Sequence, residues 1–265
     1  MKRYSKKSTV KKIKVLESTE NNIFCAEIIS EPLKSLESKQ SRALMVETSK
    51  LVEKAWGVFP DTYLEQSILG SYYLLLLRDS ADNLVGIAPV RKVKIQRRWV
   101  YVFGLTAVHP DYQGLGLMKK MYAHVLTKVF LENMMKGKLA VEFIFITSNA
   151  LTIGSIAKLA RFVYPNPYLI NMETGRVDDP DEGTWETVKL FLEEEGEKYR
   201  DLQKNGSVMI GFYDDKKDLL MQWGVEQKNK SMQLFVKNYL QPGSGKEVVV
   251  RAVISVWELL SAAIN

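Results

Sequence analysis

The 265-residue sequence predicts an α+β fold, and three observations carry that expectation. Runs rich in β-branched and aromatic residues recur along the first two thirds of the chain, each with a strand's length. Between them lie segments whose apolar residues repeat at helical spacing. One small-residue turn, at residues 109–116, joins a strand directly to an amphipathic helix.

The elements follow in order. Asn22 to Ser30 is the first predicted strand, and a helical region from Leu33 to Trp56, entered by Pro32 and Ser35, comes next. Asp61 to Leu69 is a second helix. Tyr72 to Arg78 and Leu84 to Ile95 read as paired strands, joined by a turn at Asp79-Ser80-Ala81-Asp82-Asn83. Gln96-Arg97-Arg98 turns the chain into the strand Trp99 to Val108. After the small-residue turn, Leu117, Met121, Val125 and Val129 recur every four residues, while Lys120, His124 and Lys128 share the other face. Val141 to Thr147 is a buried strand, followed by a helix from Ile153 to Phe162 that stops before Tyr164-Pro165-Asn166-Pro167.

Residues 171–265 are less regular. Asn171 to Gly183 is an acidic loop, and Thr184 caps a predicted helix reaching Asn205. Val208 to Tyr213 and Glu247 to Ile254 read as two last strands, with Met232 to Tyr239 as a piece between. Pro242-Gly243-Ser244-Gly245-Lys246 is a turn and not a phosphate loop, because Leu240 stands where that motif needs glycine. The expected organisation is a basic, flexible tail over residues 1–18, a core over 19–170 and an elaboration of the same domain over 171–265.

Composition narrows the function classes. Apolar residues make up 46% of the chain, enough for a sizeable core. The net charge of +6 comes from the tail, since residues 1–14 carry +7 and residues 15–265 carry −1. Such a tail can hold nucleic acid or an acidic membrane by counterion release; a solvated end is the commoner case. No apolar run approaches a membrane span, and the basic start lacks a signal peptide's apolar stretch, so a cytoplasmic protein is expected. With one cysteine, Cys25, and two histidines, neither a disulfide framework nor a metal site is expected.

The turn Val108-His109-Pro110-Asp111-Tyr112-Gln113-Gly114-Leu115-Gly116-Leu117-Met118 has a specific chemistry. A turn that opens a helix aims several unpaired backbone N–H groups at one point, where the helix dipole adds positive charge. That is an anion site, most often for phosphate. The sequence resembles motif A of the GNAT superfamily of acyl-CoA-dependent N-acyltransferases, Gln/Arg-x-x-Gly-x-Gly/Ala, with Gln113, Gly116 and the Val-x-Pro-x-Tyr lead-in matching and Met118 departing. The order of elements over residues 20–170 is similar too.

The resemblance implies a three-layer α/β/α fold. Its mixed, mostly antiparallel sheet splays in a V between the family's fourth and fifth strands, here 99–108 and 141–147. It further implies acetyl-CoA or another acyl-CoA as co-substrate, without a metal, and direct transfer to a primary amine on a small molecule, peptide or protein. Carried over, the pantetheine contacts fall on Thr106, Ala107 and Val108. The pyrophosphate falls on Gln113, Gly114, Leu115, Gly116, Leu117, Met118 and Lys119. The backbone N–H at the strand bulge polarises the thioester carbonyl.

Two catalytic tasks stay open. An alkylamine is almost wholly protonated at neutral pH, and removing its proton costs about 4.6 kcal/mol. Glu142, Tyr101, Tyr72, Tyr73, His109 and His124 are the titratable groups weighed for that base. The leaving thiolate needs a donor, which in the family is a tyrosine following an Asn-x-x-Ala-like start. Asn149-Ala150 matches that start, but Ile156 stands at the tyrosine position, which leaves Tyr164, then Ser155, as replacements. These departures favour a second reading, a silent CoA-binding sensor or scaffold; a third is a nucleic-acid-associated protein acting through its tail. Lys92 and Lys94 share a strand face that would suit an acidic acceptor.

Overall fold

The computed structural model describes residues 11–17, 23–147, 149–195, 200–210, 229–241, 244 and 246–258. The chain forms two compact units, Met1–Lys92 with Val102–Lys136, and Val93–Tyr101 with Gly137–Asn265. The expected α+β class holds, with antiparallel pairing within each unit.

In the first unit the order of strands is β1 (Lys11–Glu17), β2 (Ile23–Ser30), β3 (Tyr73–Arg78) and β4 (Leu84–Ile95). β3 lies at the heart of the unit, and Leu74 to Leu77 are fully buried between its neighbours. α1 (Pro32–Ser35), α2 (Ser38–Trp56) and α3 (Asp61–Ile68) connect β2 to β3. β5 (Arg98–Phe103) follows β4, and both strands run from one unit into the other. β6 (Ala107–Val108) returns to pair with β4, and α4 (Leu117–Met134) closes the unit.

Three expectations change here. Lys11–Glu17, within the predicted tail, is a strand paired with β2; the lysines drew attention from the alternation of Ile13 and Val15 with Lys12 and Lys14. The remainder of that tail lies outside the described residues. The helix expected over 33–56 is two helices, because Glu37 and Gln40 form a reciprocal cap that starts α2 afresh. The strand expected over 99–108 breaks after Phe103, for a reason that bears on the site.

The second unit contains β7 (Ala140–Thr147), α5 (Ala150–Leu159), β8 (Phe162–Tyr164), α6 (Glu182–Glu195), β9 (Arg200–Gln203), β10 (Val208–Ile210), α7 (Lys230–Phe235) and β11 (Lys246–Ser255). β11 is its spine. It pairs with β7 from Val248↔Thr147 to Ser255↔Ala140, and it also takes β8 and β10. The order is β7, β11, β10, β9.

Further corrections fall in this unit. The helix expected over 153–162 is Ala150–Leu159, and Phe162 begins the strand Phe162–Tyr164 instead, because three β-formers find a partner in β11. The helix expected to reach Asn205 is α6 over Glu182–Glu195, and Arg200–Gln203, within the expected helix, is the strand β9; residues 196–199 lie outside the described residues. The piece at 232–239 is helical: α7 runs on into a π turn over Val236–Leu240. Residues 211–213 of the expected strand at 208–213 lie outside the described residues.

Candidate functional site

The loop before α4 is set by its own chemistry. Pro110–Tyr112 forms one turn of 3-10 helix, with the His109 ring accepting from the Asp111 N–H at 3.3 Å. Tyr112 packs edge-on against Phe24 and His109, and its hydroxyl donates to Asp79 Oδ2 at 3.1 Å. Asp79 in turn accepts from Ala81, Asn83 and Tyr112; burial pushes its carboxyl up, but the hydrogen bonds from Asn83 lead those that leave it below the ordinary value.

Gly114 and Gly116 have φ of +82° and +69°, where a side chain is strained, and a Cβ on either would meet nothing within 4 Å. Their glycine identity therefore answers the backbone and not a crowded interior. Gly116 is the N-cap of α4 and offers no side chain to cap it. The N-cap carbonyl of Gly116 accepts the first helical bond, from Lys120 N–H at 3.3 Å. The N–H groups of Leu117, Met118 and Lys119 precede it, so they are the orphan donors of this helix start. Leu117 is buried and anchors the turn; Met118 is half-buried, and Gly114, Gly116 and Lys119 are exposed.

The strand leading into the loop is irregular. Gly104 N–H bonds Pro89 O at 3.1 Å, yet Ala107 stands opposite Ile87. The chain thus takes three steps where β4 takes two, which defines a β-bulge. Beyond it, His109 N–H bonds Val85 O at 2.8 Å. Antiparallel partners alternate, so Ala107 and His109 face β4 while Val108 turns its polar groups outward.

Side chains hold this segment. Gln113 Nε2 donates to Val108 O at 3.1 Å, and the Trp56 indole N–H donates to Thr106 O at 3.2 Å. The Tyr122 hydroxyl, its pKa raised by burial, donates to Thr106 Oγ1 at 3.0 Å. Tyr122 also meets Phe103 edge-on, with ring centroids 4.9 Å apart. Lys54 Nζ lies 3.3 Å from His109 Nε2. Thr106, Ala107, Val108 and Gln113 to Lys119 all belong to the first unit as one continuous segment. Trp56, Tyr122 and Lys54 were missed. Only Gly104, a glycine inside a strand pattern, hints at the bulge in the sequence.

The remaining candidates have other partners. Asn149 accepts from Thr152 N–H at 3.3 Å and caps α5. Ser155 is exposed on α5. Tyr164 is buried; its hydroxyl donates to Lys204 O at 3.0 Å and accepts from Gly206 N–H at 2.9 Å. Burial drives its pKa well up. These three lie in the second unit. There too, Glu142 is held by Arg251 and Arg98 at 2.6 and 3.2 Å.

Tyr72 and Tyr73 donate to Glu132 at 2.8 and 2.6 Å, and Lys92 and Lys136 reach the same carboxylate. Lys92 is therefore committed to an ion pair and does not present a basic face with Lys94. His124 is half-buried, and desolvation lowers its pKa.

Residues 41–143 match the model of the acetyltransferase (GNAT) family. A search of curated proteins found no match. Among solved structures, the chain is similar to a GNAT family N-acetyltransferase from Escherichia coli in complex with CoA. That pair shows 15% identity and a TM-score of 0.31 over 41% of this chain and 59% of that one. The chain thus spans less than two thirds of that relative's length. It is also similar to the ribosomal-protein-S18-alanine N-acetyltransferase from Escherichia coli, at 17% identity and a TM-score of 0.37, covering 56% of this chain and 86% of that one. A third likeness is to an aminoglycoside acetyltransferase from an uncultured soil metagenomic sample, at 15% identity and a TM-score of 0.32, covering 42% and 71%. The GNAT resemblance carried by the loop is thus matched over residues 41–143 of the chain.

Proposed function

We propose that this protein is an acyl-CoA-dependent N-acyltransferase, acetyl-CoA being the first co-substrate to test and a primary amine the acceptor. The observation that carries this reading is the uncapped start of α4 behind two left-handed glycines, within a segment that matches the GNAT family model. The orphan N–H groups of Leu117 to Lys119 suit a pyrophosphate, since the helix start supplies both donors and a favourable dipole. Gln113, Gly114, Leu115 and Gly116 shape the approach, and Lys119 adds charge at its exposed rim.

The segment Thr106, Ala107 and Val108 continues from that loop and takes the pantetheine arm, with Val108 turning its backbone groups outward while those of Ala107 face β4. The bulge next to it holds the acyl carbonyl, where a backbone N–H stabilises the oxyanion that forms when the amine attacks. The amine nitrogen bonds to the carbonyl carbon and gives up one proton, the C–S bond breaks, and CoA leaves as a thiolate that takes one proton up, so no net proton is gained or lost. Ser155 and Tyr164 are the side chains proposed for that proton, and Asn149 orders the start of the helix carrying Ser155. Tyr164 is the weaker of the two, because its proton is already donated to Lys204 O.

Calorimetric titration with acetyl-CoA tests the reading, with Gly116→Glu as control. Micromolar binding that the variant abolishes supports it, and an amine-acceptor screen follows. Absence of binding up to about 1 mM, weaker than roughly −4 kcal/mol, overturns it. Binding without turnover on any amine favours the sensor reading.

A further inference from the structure

We infer that Trp56 and Tyr122 are positioning residues of the acyl site, fixing the peptide of Thr106 at the bulge so that its neighbouring N–H groups meet the thioester carbonyl. This rests on the acyl-CoA reading above.

Thr106 is buried and held on two sides by different helices. From the last position of α2, the Trp56 indole N–H reaches Thr106 O at 3.2 Å. From α4, the Tyr122 hydroxyl reaches Thr106 Oγ1 at 3.0 Å. The Thr106 hydroxyl then has its own proton to give, and Gly104 O lies 3.4 Å away across the bulge. A bulge is a place where the ladder no longer fixes the peptide planes. Here side chains fix them instead.

The geometry of Trp56 is itself determined. Gly57 follows it with φ of +87°, so the helix ends sharply and leaves the indole at its rim. α2 is pinned to the β3 end by the fork of Arg78 on Glu47, with both bonds at 2.6–2.7 Å. A ring of that length with an N–H at its far edge spans the gap from helix to strand. Phenylalanine keeps an aromatic ring at this position but is shorter and has no donor.

The chemical consequence is an edge with a preferred polarity. The carbonyls of Thr106 and Val108 are both engaged by side-chain donors, from Trp56 and Gln113. The segment therefore addresses a ligand chiefly through N–H groups, and an acyl oxygen is the acceptor they suit. CoA without its acyl group has no such oxygen.

The test compares acetyl-CoA with CoA on the full chain by calorimetry, using wild type, Trp56→Phe and Tyr122→Phe. Wild type is expected to prefer acetyl-CoA three- to tenfold. In either folded variant that preference disappears while CoA affinity stays within twofold, a separation that general loosening of the fold would not give. Either variant alone decides, should the other fail to fold. Retention of the preference in a folded variant overturns the inference, as does a wild type that binds both ligands equally. A wild type that binds neither ligand overturns the acyl-CoA reading itself.

Discussion

Arg251 Nε stands 2.6 Å from Glu142 Oε1, joining β11 to β7 across their shared register. Both side chains are nearly nine-tenths buried. Arg251 also donates to Thr184 Oγ1 at 2.6 Å, and Arg98 supplies Glu142 with a second cation. The fork and its acceptors form one satisfied polar cluster inside the second unit. Removing one member leaves the other charged and buried, which costs far more than the pair itself contributes.

Arg251→Ala is expected to destabilise the chain by about 1.5–3 kcal/mol, since Glu142 loses its donor at 2.6 Å but keeps Arg98 at 3.2 Å. Thermal melting followed by circular dichroism measures it. A shift of the midpoint near zero would show that Glu142 finds water in place of the guanidinium.

Glu132 sets a pH window. Burial pushes its carboxyl up, but hydrogen bonds from Lys136, Tyr73, Lys92 and Tyr72 outweigh that and bring it down to about 2. A carboxyl whose folded pKa is depressed contributes stability above its unfolded pKa, near 4.5, and loses it as pH falls toward the folded value. Stability is expected to drop between about pH 4.5 and pH 2, by on the order of 3 kcal/mol from this group. Urea midpoints across that range check it, and Glu132→Gln should flatten the slope.

Tyr164→Phe separates two roles for one hydroxyl. Its bonds to Lys204 O and Gly206 N–H hold the turn before β10. Losing them is expected to cost about 1–3 kcal/mol of stability, with little effect on the acyl-transfer rate per folded molecule. A tenfold or greater fall in kcat at an unchanged melting temperature would instead assign the hydroxyl to the leaving thiolate.

Gly114→Ala probes the loop backbone. At φ of +82° alanine is strained, although its methyl would meet no protein atom. The expected cost is about 1 kcal/mol of stability, together with weaker acetyl-CoA binding. Calorimetry beside a melt distinguishes the two effects; unchanged affinity would place the loop outside the ligand's reach.

Within residues 23–147 the strands β2, β3, β4 and β7 and the helices α3 and α4 were legible because their patterns are local, while the break between α1 and α2 and that between β5 and β6 were not. β4 runs over Leu84–Ile95, as its β-branched residues and flanking turns predict. The loop was legible for the same reason, since Gln113, Gly114 and Gly116 lie within four residues. Trp56 was not, because its partner Thr106 is 50 residues away and joined to it by one hydrogen bond. The strand Phe162–Tyr164 was not legible, and Phe162 reads as the end of the preceding helix, because a run of three residues has no period of its own; its partner β11 lies 87 to 91 residues downstream. The tail failed differently, its seven cations hiding a strand's alternation.

Tyr112 ties the loop to the β3–β4 turn through Asp79 and meets both Phe24 and His109 edge-on. A loop stitched to its scaffold in this way has already surrendered its conformational freedom during folding. Its guest meets a finished cradle, so the heat and entropy of association should report desolvation and contact alone. Cutting the stitch with Tyr112→Phe would transfer an ordering cost to the binding step, felt as slower capture as well as faster escape.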